Sequence, residues 1–306
     1  MSGLDDNDKI LSEENILAQW TAAPGGFGQV EVWDEAAAGY AGRPTPTFVD
    51  DPFLQMIARL GALGPHDGLS EGGASGKLAD ALSSVESMPG TVTRSPARSL
   101  TVLDIGCGAG LYSIALAPFV GRVVGCDLSP MMIDAARARA AEAGCKNAEF
   151  VCGDFADLVF EEPFDLVFAH FTPALGSGAA FQKMMALARE WCFVAMPTRR
   201  TDPVLLEARR LVGVPLEADR RDVNFLNAFA LAWLAGKTPT VEHYDDVWLD
   251  QRTLPDAQRV YADHLVATDL SEEQKALIRD YLAQIAQDGV VYERIETTVV
   301  MMGWRM

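Results

Sequence analysis

The sequence predicts an α/β protein with a doubly wound, mostly parallel sheet of seven strands, helices on both faces and a helical cover. Three observations predict it. An apolar run at residues 100–105 ends beside an acid and leads into glycines at 106, 108 and 110, after which Leu111, Ile114 and Ala115 begin a helical stripe. Short apolar runs follow at 123–127, 149–155, 164–170 and 191–196. Helix-length spacers separate them, and strands that alternate with helices in this way pair in parallel.

The first strand and its loop, Asp104-Ile105-Gly106-Cys107-Gly108-Ala109-Gly110, hold the densest signal. Glycine has no Cβ, so such a loop turns tightly and brings main-chain N–H groups against a ligand. The dinucleotide fingerprint G-x-G-x-x-G requires glycine at 111, where the chain has Leu111, and a nicotinamide-dependent dehydrogenase is disfavoured. Residues 123–127 form a second strand ending in Asp127, about 20 residues past the loop, where a ribose lies in such a sheet. Ser129 and Pro130 are the N-cap and first residue of an alanine-rich helix over 131–144.

The D-x-G-x-G-x-G string resembles motif I of the class I S-adenosylmethionine-dependent methyltransferases of small-molecule type, whose sheet is Rossmann-like. In that family the leading acid, matched by Asp104, helps hold the amino-acid end of the cofactor. The glycines, Gly106, Gly108 and Gly110, with Cys107 among them, admit its methionine portion. Asp127, Ser129 and Met132 match a D-x-S-x-x-M arrangement that sets the methionine beside the adenine, with Leu128 next to the acid. Asp154 stands where the family reads the adenine amino group, Phe155 follows it, and His170 ends the fourth strand at the reacting edge. The resemblance implies S-adenosylmethionine as cofactor and covers about residues 100–200. Ahead of it, Trp33, Ala37 and Tyr40 fit the W-x-x-x-A-x-x-Y segment that precedes the core in many such enzymes. There the tyrosine commonly closes over the cofactor, and simple packing of two aromatics is the other reading.

Composition bounds the partners. The chain has 306 residues, 49% of them hydrophobic, which is enough for a large core. Its 43 acids against 25 bases give a net charge of -18, so a polyanion is repelled and nucleic acid is a poor partner. The pairs Arg199-Arg200 and Arg209-Arg210 sit among acids or in a helix and read as solvated surface. Residues 1–9 are acidic and lack a targeting pattern. The apolar stretch at 224–236 is short of the ~20 residues a membrane span needs. Five cysteines without a C-x-x-C pair read as buried small hydrophobes in a reducing cytoplasm, with Cys107 alternatively a reactive thiol.

Along the chain, residues 1–63 read as an N-terminal helical cap, with helices at 12–20 and from the Asp51-Pro52 start. Residues 64–99, rich in Gly, Ser, Pro and Ala, read as a flexible connection that holds a short helix over 77–84. The core spans 100–306. A helix is expected at 181–190 and strands at 240–249 and 297–304, with helical cover insertions near 201–237 and 254–289. The last helix, 271–288, opens with the capping box Ser271-x-x-Gln274 and ends at Gly289.

Methyl transfer from a sulfonium depends mainly on alignment, so a general base is optional. His170 is the candidate base for a hydroxyl or thiol acceptor, or it lines the cofactor through its backbone. His66, His243 and His264 lack metal-ligand spacing, and no metal site is expected. His170-Phe171-Thr172-Pro173 departs from the Asn/Asp-Pro-Pro-aromatic run common among enzymes that methylate nitrogens of planar systems. A small-molecule acceptor follows, with Phe171, Phe225, Phe229, Trp233, Tyr244, Trp248 and Tyr261 as possible walls. The alternative is a catalytically silent regulatory protein that keeps the cofactor pocket.

Overall fold

The computed structural model describes residues 12–21, 30–63, 100–214, 220–267 and 269–306. The connection expected at 64–99, its helix at 77–84, His66 and the acidic start at 1–9 lie outside them. Strands β1 (Thr101–Ile105), β2 (Arg122–Asp127), β3 (Ala148–Cys152), β4 (Phe164–His170), β5 (Ala188–Thr201), β6 (Thr240–Thr253) and β7 (Val290–Arg305) make one sheet in the order β3-β2-β1-β4-β5-β7-β6. The first five pair in parallel, while β7 runs antiparallel between β5 and β6. The chain steps outward from β1 to β3 and then returns to β4 on the other side of β1. That reversal opens a crevice at the carboxyl ends of β1 and β4, which is where ligands enter sheets of this kind.

The helices are α1 (Glu13–Gln19), α2 (Val30–Ala41), α3 (Pro52–Arg59), α4 (Leu111–Leu116), α5 (Pro130–Glu142), α6 (Gly178–Ala186), α7 (Pro203–Leu211), α8 (Arg220–Leu234), α9 (Leu254–Val260) and α10 (Glu272–Ile285). Alternation along the strands sorts them into layers. Leu103, Ile105, Val167 and Ala169 point to the face covered by Trp20, Phe181, Ala228 and Leu231 of the α1, α6 and α8 region. Val102, Leu166, Phe168 and Phe193 point the other way, onto Phe53, Leu54, Met56 and Ile57 of α3 and Leu116 of α4. Phe53 is fully buried, and truncating such a ring to alanine costs about 3–5 kcal/mol. α7, α9 and α10 share a further core, with Val204 and Ala208 of α7 against Tyr261, Ile278 and Leu282, whereas α8, expected in the same cover as α7, packs on the sheet.

Several boundaries differ from the sequence expectation. β5 starts at Ala188, so residues 188–190 belong to a strand rather than a helix, because Ala188 pairs with Phe164. β5 also runs on past 196 to Thr201, and β7 begins at Val290 rather than 297. Cross-strand pairing from Trp191↔Arg305 to Thr201↔Glu296 holds this polar extension, which has no apolar run to announce it. α9 gives way to a π-helical turn over Tyr261–Leu265, and α10 ends at Ile285 with Gly289 four residues further on. The capping box at Ser271 and Gln274 is formed as expected.

Candidate cofactor and acceptor site

The loop after β1 owes its shape to two different constraints on glycine. A Cβ on Gly106 would lie 1.9 Å from Thr172 Oγ1, in the segment that follows β4, so this glycine lets two loops touch. Gly108 is the reverse case. Its φ is +52°, yet the nearest atom a Cβ would meet is Met132 Sδ at 3.8 Å. The protein leaves space over Gly108, a cradle open to a ligand. Gly110 packs against Ala136 and Phe150 as the N-cap of α4.

Acids surround this cradle. Asp104 is 2% exposed and accepts from Ser113 Oγ at 2.7 Å. Burial pushes its carboxyl up to about 7, the Ser113 hydrogen bond opposes the rise, and the neighbouring Asp127 adds to it. Asp127 accepts from the Gly108 N–H at 2.8 Å and the Ser129 N–H at 2.9 Å. Its carboxyl is also raised, first by burial and with a contribution from Asp34, while those main-chain donors lower it. A carboxylate offers about four acceptor positions, so Asp127 keeps acceptor capacity for a diol. Two raised carboxyls in one cleft favour a ligand carrying positive charge, which relieves their desolvation and mutual repulsion.

α2 forms one wall. Asp34 accepts from Ser129 Oγ at 2.5 Å, while Ser129 itself caps the Met132 N–H at 3.0 Å, so α2 docks on the start of α5. Arg139 of α5 donates to the Ala41 carbonyl at the end of α2. Tyr40 and Trp33 make an edge contact at 6.3 Å and pack with Ala109 and Met132, and the Arg43 guanidinium lies 4.1 Å from the Tyr40 ring centre. Arg259 of α9 reaches Glu35 of α2 at 2.6 Å, linking the insertion to this wall. On the far side, Asp154 accepts from Ala156 N–H at 2.8 Å. Lys183 fixes the loop by donating to the carbonyls of Phe155, Ala156 and Leu158 at 2.5, 2.9 and 2.6 Å.

Several expected residues are present in another capacity. The Phe155 ring is 3% exposed in the core, and its carbonyl accepts from Lys183. Cys107 is 9% exposed among Ile114, Ile133 and Phe150, and burial raises its thiol far above the usual range. This environment suits the reading of Cys107 as a buried small hydrophobe better than that of a reactive thiol. Leu128 is half-buried beside Asp127, and its carbonyl accepts from Cys152 Sγ at 3.7 Å.

His170 stands at the carboxyl end of β4, paired with Ala195 of β5. Burial pushes its pKa down to about 3, so the ring is neutral. Its Nε2 lies 2.9 Å from Tyr112 Oη, which donates to Asp51 Oδ2 at 2.7 Å. Phe171 follows with φ of 51°, in the left-handed region rarely used by a non-glycine residue. That turn stacks its ring on His170 at 4.0 Å. Trp248 lies 5.6 Å beyond Phe171, and Phe53 closes on His170 at 5.1 Å. Of the expected aromatic walls, Phe171 and Trp248 meet here. Phe229 and Trp233 stack on each other on α8, which covers the opposite face, and Phe225 belongs to that helix too. Tyr261 is fully buried in the insertion core. The sequence did not single out Tyr112 or assign Asp51 any role beyond starting a helix.

Among the described residues no group of histidine, cysteine or acidic side chains could hold a metal ion, and no helix is long and apolar enough to cross a membrane.

Residues 102–192 match the model of a family described as a methyltransferase domain. The cypemycin N-terminal methyltransferase of a Streptomyces species is 42% identical over 72 residues, 24% of this chain and 28% of that protein. Nocamycin O-methyltransferase of Saccharothrix syringae is 34% identical over 116 residues, 36% of this chain and 40% of that one. The tRNA (uracil-5-)-methyltransferase homolog A of Mus musculus is 48% identical over 59 residues, 19% and 10% of the two chains. The chain thus spans less than half the length of these relatives. The likeness to known methyltransferases is thus confined to the part of the chain around residues 102–192.

Proposed function

We propose that this protein transfers a methyl group from S-adenosylmethionine to a small-molecule acceptor. The observation that supports it most is the open, acid-flanked glycine loop inside the matched segment, with room over Gly108 and raised carboxyls at Asp104 and Asp127. The cofactor, when bound, supplies a methyl group already activated on a sulfonium. The chain's own part is to bind and align. Asp127 takes the ribose diol, the main chain of Gly106, Cys107, Gly108 and Gly110 takes the methionine portion, and Asp104 lies beneath as a buried acid. Asp154, Leu128, Met132 and the main chain of Phe155 surround the base, with Tyr40 on α2 above.

The relatives include enzymes named for a peptide N-terminus, an antibiotic and a tRNA, so the acceptor is argued from this chain. A net charge of -18 repels a nucleic acid, and the aromatic edge around His170 suits a small apolar body. Unpaired cysteines at all five positions fit a reducing cytoplasm. Incubation with methyl-labelled cofactor and a metabolite extract, read by mass spectrometry, tests the activity. Labelled small products are expected. Tight cofactor binding with no labelled product would instead indicate the silent regulatory protein.

A further inference from the structure

Besides the cofactor loop, the carboxyl edge of β4 holds an arrangement that glycines and acids do not explain. Asp51, Tyr112 and His170 come from three separate parts of the chain and form one hydrogen-bonded line. Its chemistry assigns the protons. A carboxylate only accepts, so Tyr112 must donate to Asp51 Oδ2; Asp51 Oδ1 meanwhile caps the Leu54 N–H at 2.8 Å. The Tyr112 oxygen is left as an acceptor toward His170, and Nε2 of that ring must therefore carry the hydrogen. Nδ1 is then a bare acceptor, and it has no hydrogen-bond partner among the described residues.

The surroundings make this nitrogen useful. Tyr112 is the second residue of α4, directly after the glycine loop, so the line runs beside the cradle. His170, Phe171, Tyr112, Tyr244 and Trp248 are all half-buried, so this aromatic edge packs on the core yet keeps part of its surface accessible. Tyr244 and Trp248 share one face of β6, and Trp248 is held by its Nε1 donating to Asp246 at 2.8 Å. The strained turn at Phe171 places its ring flat against His170. A left-handed phenylalanine is strained, and such strain clusters at functional sites.

We infer that the line from Asp51 through Tyr112 fixes His170 with its hydrogen on Nε2, and that the bare Nδ1 receives the hydroxyl hydrogen of the methyl acceptor, an aromatic alcohol whose flat body lies against Phe171, Tyr244 and Trp248. This rests on the methyltransferase reading. As transfer proceeds, the acceptor O–H bond breaks and its proton passes to Nδ1, while the acceptor oxygen forms the new bond to the methyl carbon. The carbon–sulfur bond breaks with its electron pair left on sulfur. His170 then returns the proton to solvent. A ring that is neutral beforehand places no charge against the sulfonium. His170 touches the acceptor, whereas Tyr112 and Asp51 act through it as positioning residues.

Two measurements test this. Protein labelled with nitrogen-15 at its four histidines, with His170→Gln for assignment, reports the tautomer in the absence of any ligand. Wild type should show a protonated Nε2 and a bare Nδ1 at His170, and Tyr112→Phe, which keeps the ring, should show an average of both forms. A wild-type Nδ1–H or a charged ring overturns the assignment. The second measurement compares 4-nitrophenol with its methyl ether, 4-nitroanisole, on protein saturated with S-adenosylhomocysteine. The phenol should bind at least about tenfold tighter, because only it donates a hydrogen bond, with the preference lost in His170→Ala and reduced in Tyr112→Phe. Equal binding of the two, no binding of either, or a preference that survives His170→Ala overturns the acceptor site. Failure of S-adenosylhomocysteine itself to bind refutes the methyltransferase reading and leaves the tautomer result standing as its own test.

Discussion

The two halves of the candidate site are built in opposite ways. The cofactor half is local: Asp104, Gly106, Gly108, Gly110 and Ser113 fall within ten residues, and Asp127 meets the Gly108 N–H across one strand. The candidate acceptor half is assembled from Asp51, Tyr112, His170 and Trp248, whose hydrogen bonds span 58 and 61 residues and whose outer wall comes from β6. Main-chain constraints dictate the first half, so few residue types fit it. Side-chain complementarity dictates the second, and there many residue types serve. The comparison teaches that changes in the first half should cost cofactor binding, while changes in the second should alter the acceptor and leave the cofactor in place.

The largest effect on that contrast is expected from Gly106→Val. Its Cβ overlaps Thr172 Oγ1, so the loop and the β4 end cannot both keep their places, and both binding and thermal stability should fall. Gly108→Val should differ. Its Cβ meets no protein atom closer than 3.8 Å, and the strain of its positive φ is local, so circular dichroism should stay nearly unchanged while cofactor binding is lost. Normal binding in that variant would mean the cradle holds nothing.

The contrast between these glycines shows what the sequence made legible. The parallel strands β1 to β5 and the acid positions follow from apolar runs and spacing, because a parallel sheet needs continuous buried strands. The string D-x-G-x-G-x-G did not reveal that Gly106 answers to Thr172, since that contact crosses 66 residues. Nor did periodicity separate Phe229, on the far face, from Phe171 and Trp248 at the edge, as all of them are aromatics in amphipathic segments. Tyr112 had a signal that was available: a polar-tipped aromatic at the second position after the glycine loop, next to the reacting edge. The polar ends of β5 and β7 had none, being held by each other rather than by core packing.

A smaller effect concerns Asp104. Its folded pKa of about 7 exceeds its value when unfolded, so the folded state holds the extra proton between about pH 4 and 7. Stability from this group is complete below pH 4 and is lost as pH rises through 7. Asp104→Asn should lack that loss, which thermal unfolding at pH 5 and pH 8 would show as a flatter pH dependence than wild type. The same variant should bind the cationic cofactor more weakly, with the deficit growing above pH 7.

The smallest effect is expected at the link between α2 and the insertion. The Arg259–Glu35 pair is about half exposed on both sides and is worth ~0–1 kcal/mol, so Arg259→Ala should barely change stability. If α2 and α9 form a cover that closes on the ligand, hydrogen exchange around Tyr40 and over residues 255–288 should slow when S-adenosylhomocysteine is added. Protection confined to residues 102–170 would make those segments ordinary scaffold.

Calorimetry of S-adenosylhomocysteine with wild type and Asp127→Ala tests the central assignment most directly. Each hydrogen bond from the ribose to the carboxylate is worth roughly 1.5–3 kcal/mol, so binding by wild type should weaken at least about tenfold in the variant with the fold intact. Equal affinity in the two folded proteins would contradict the cofactor site.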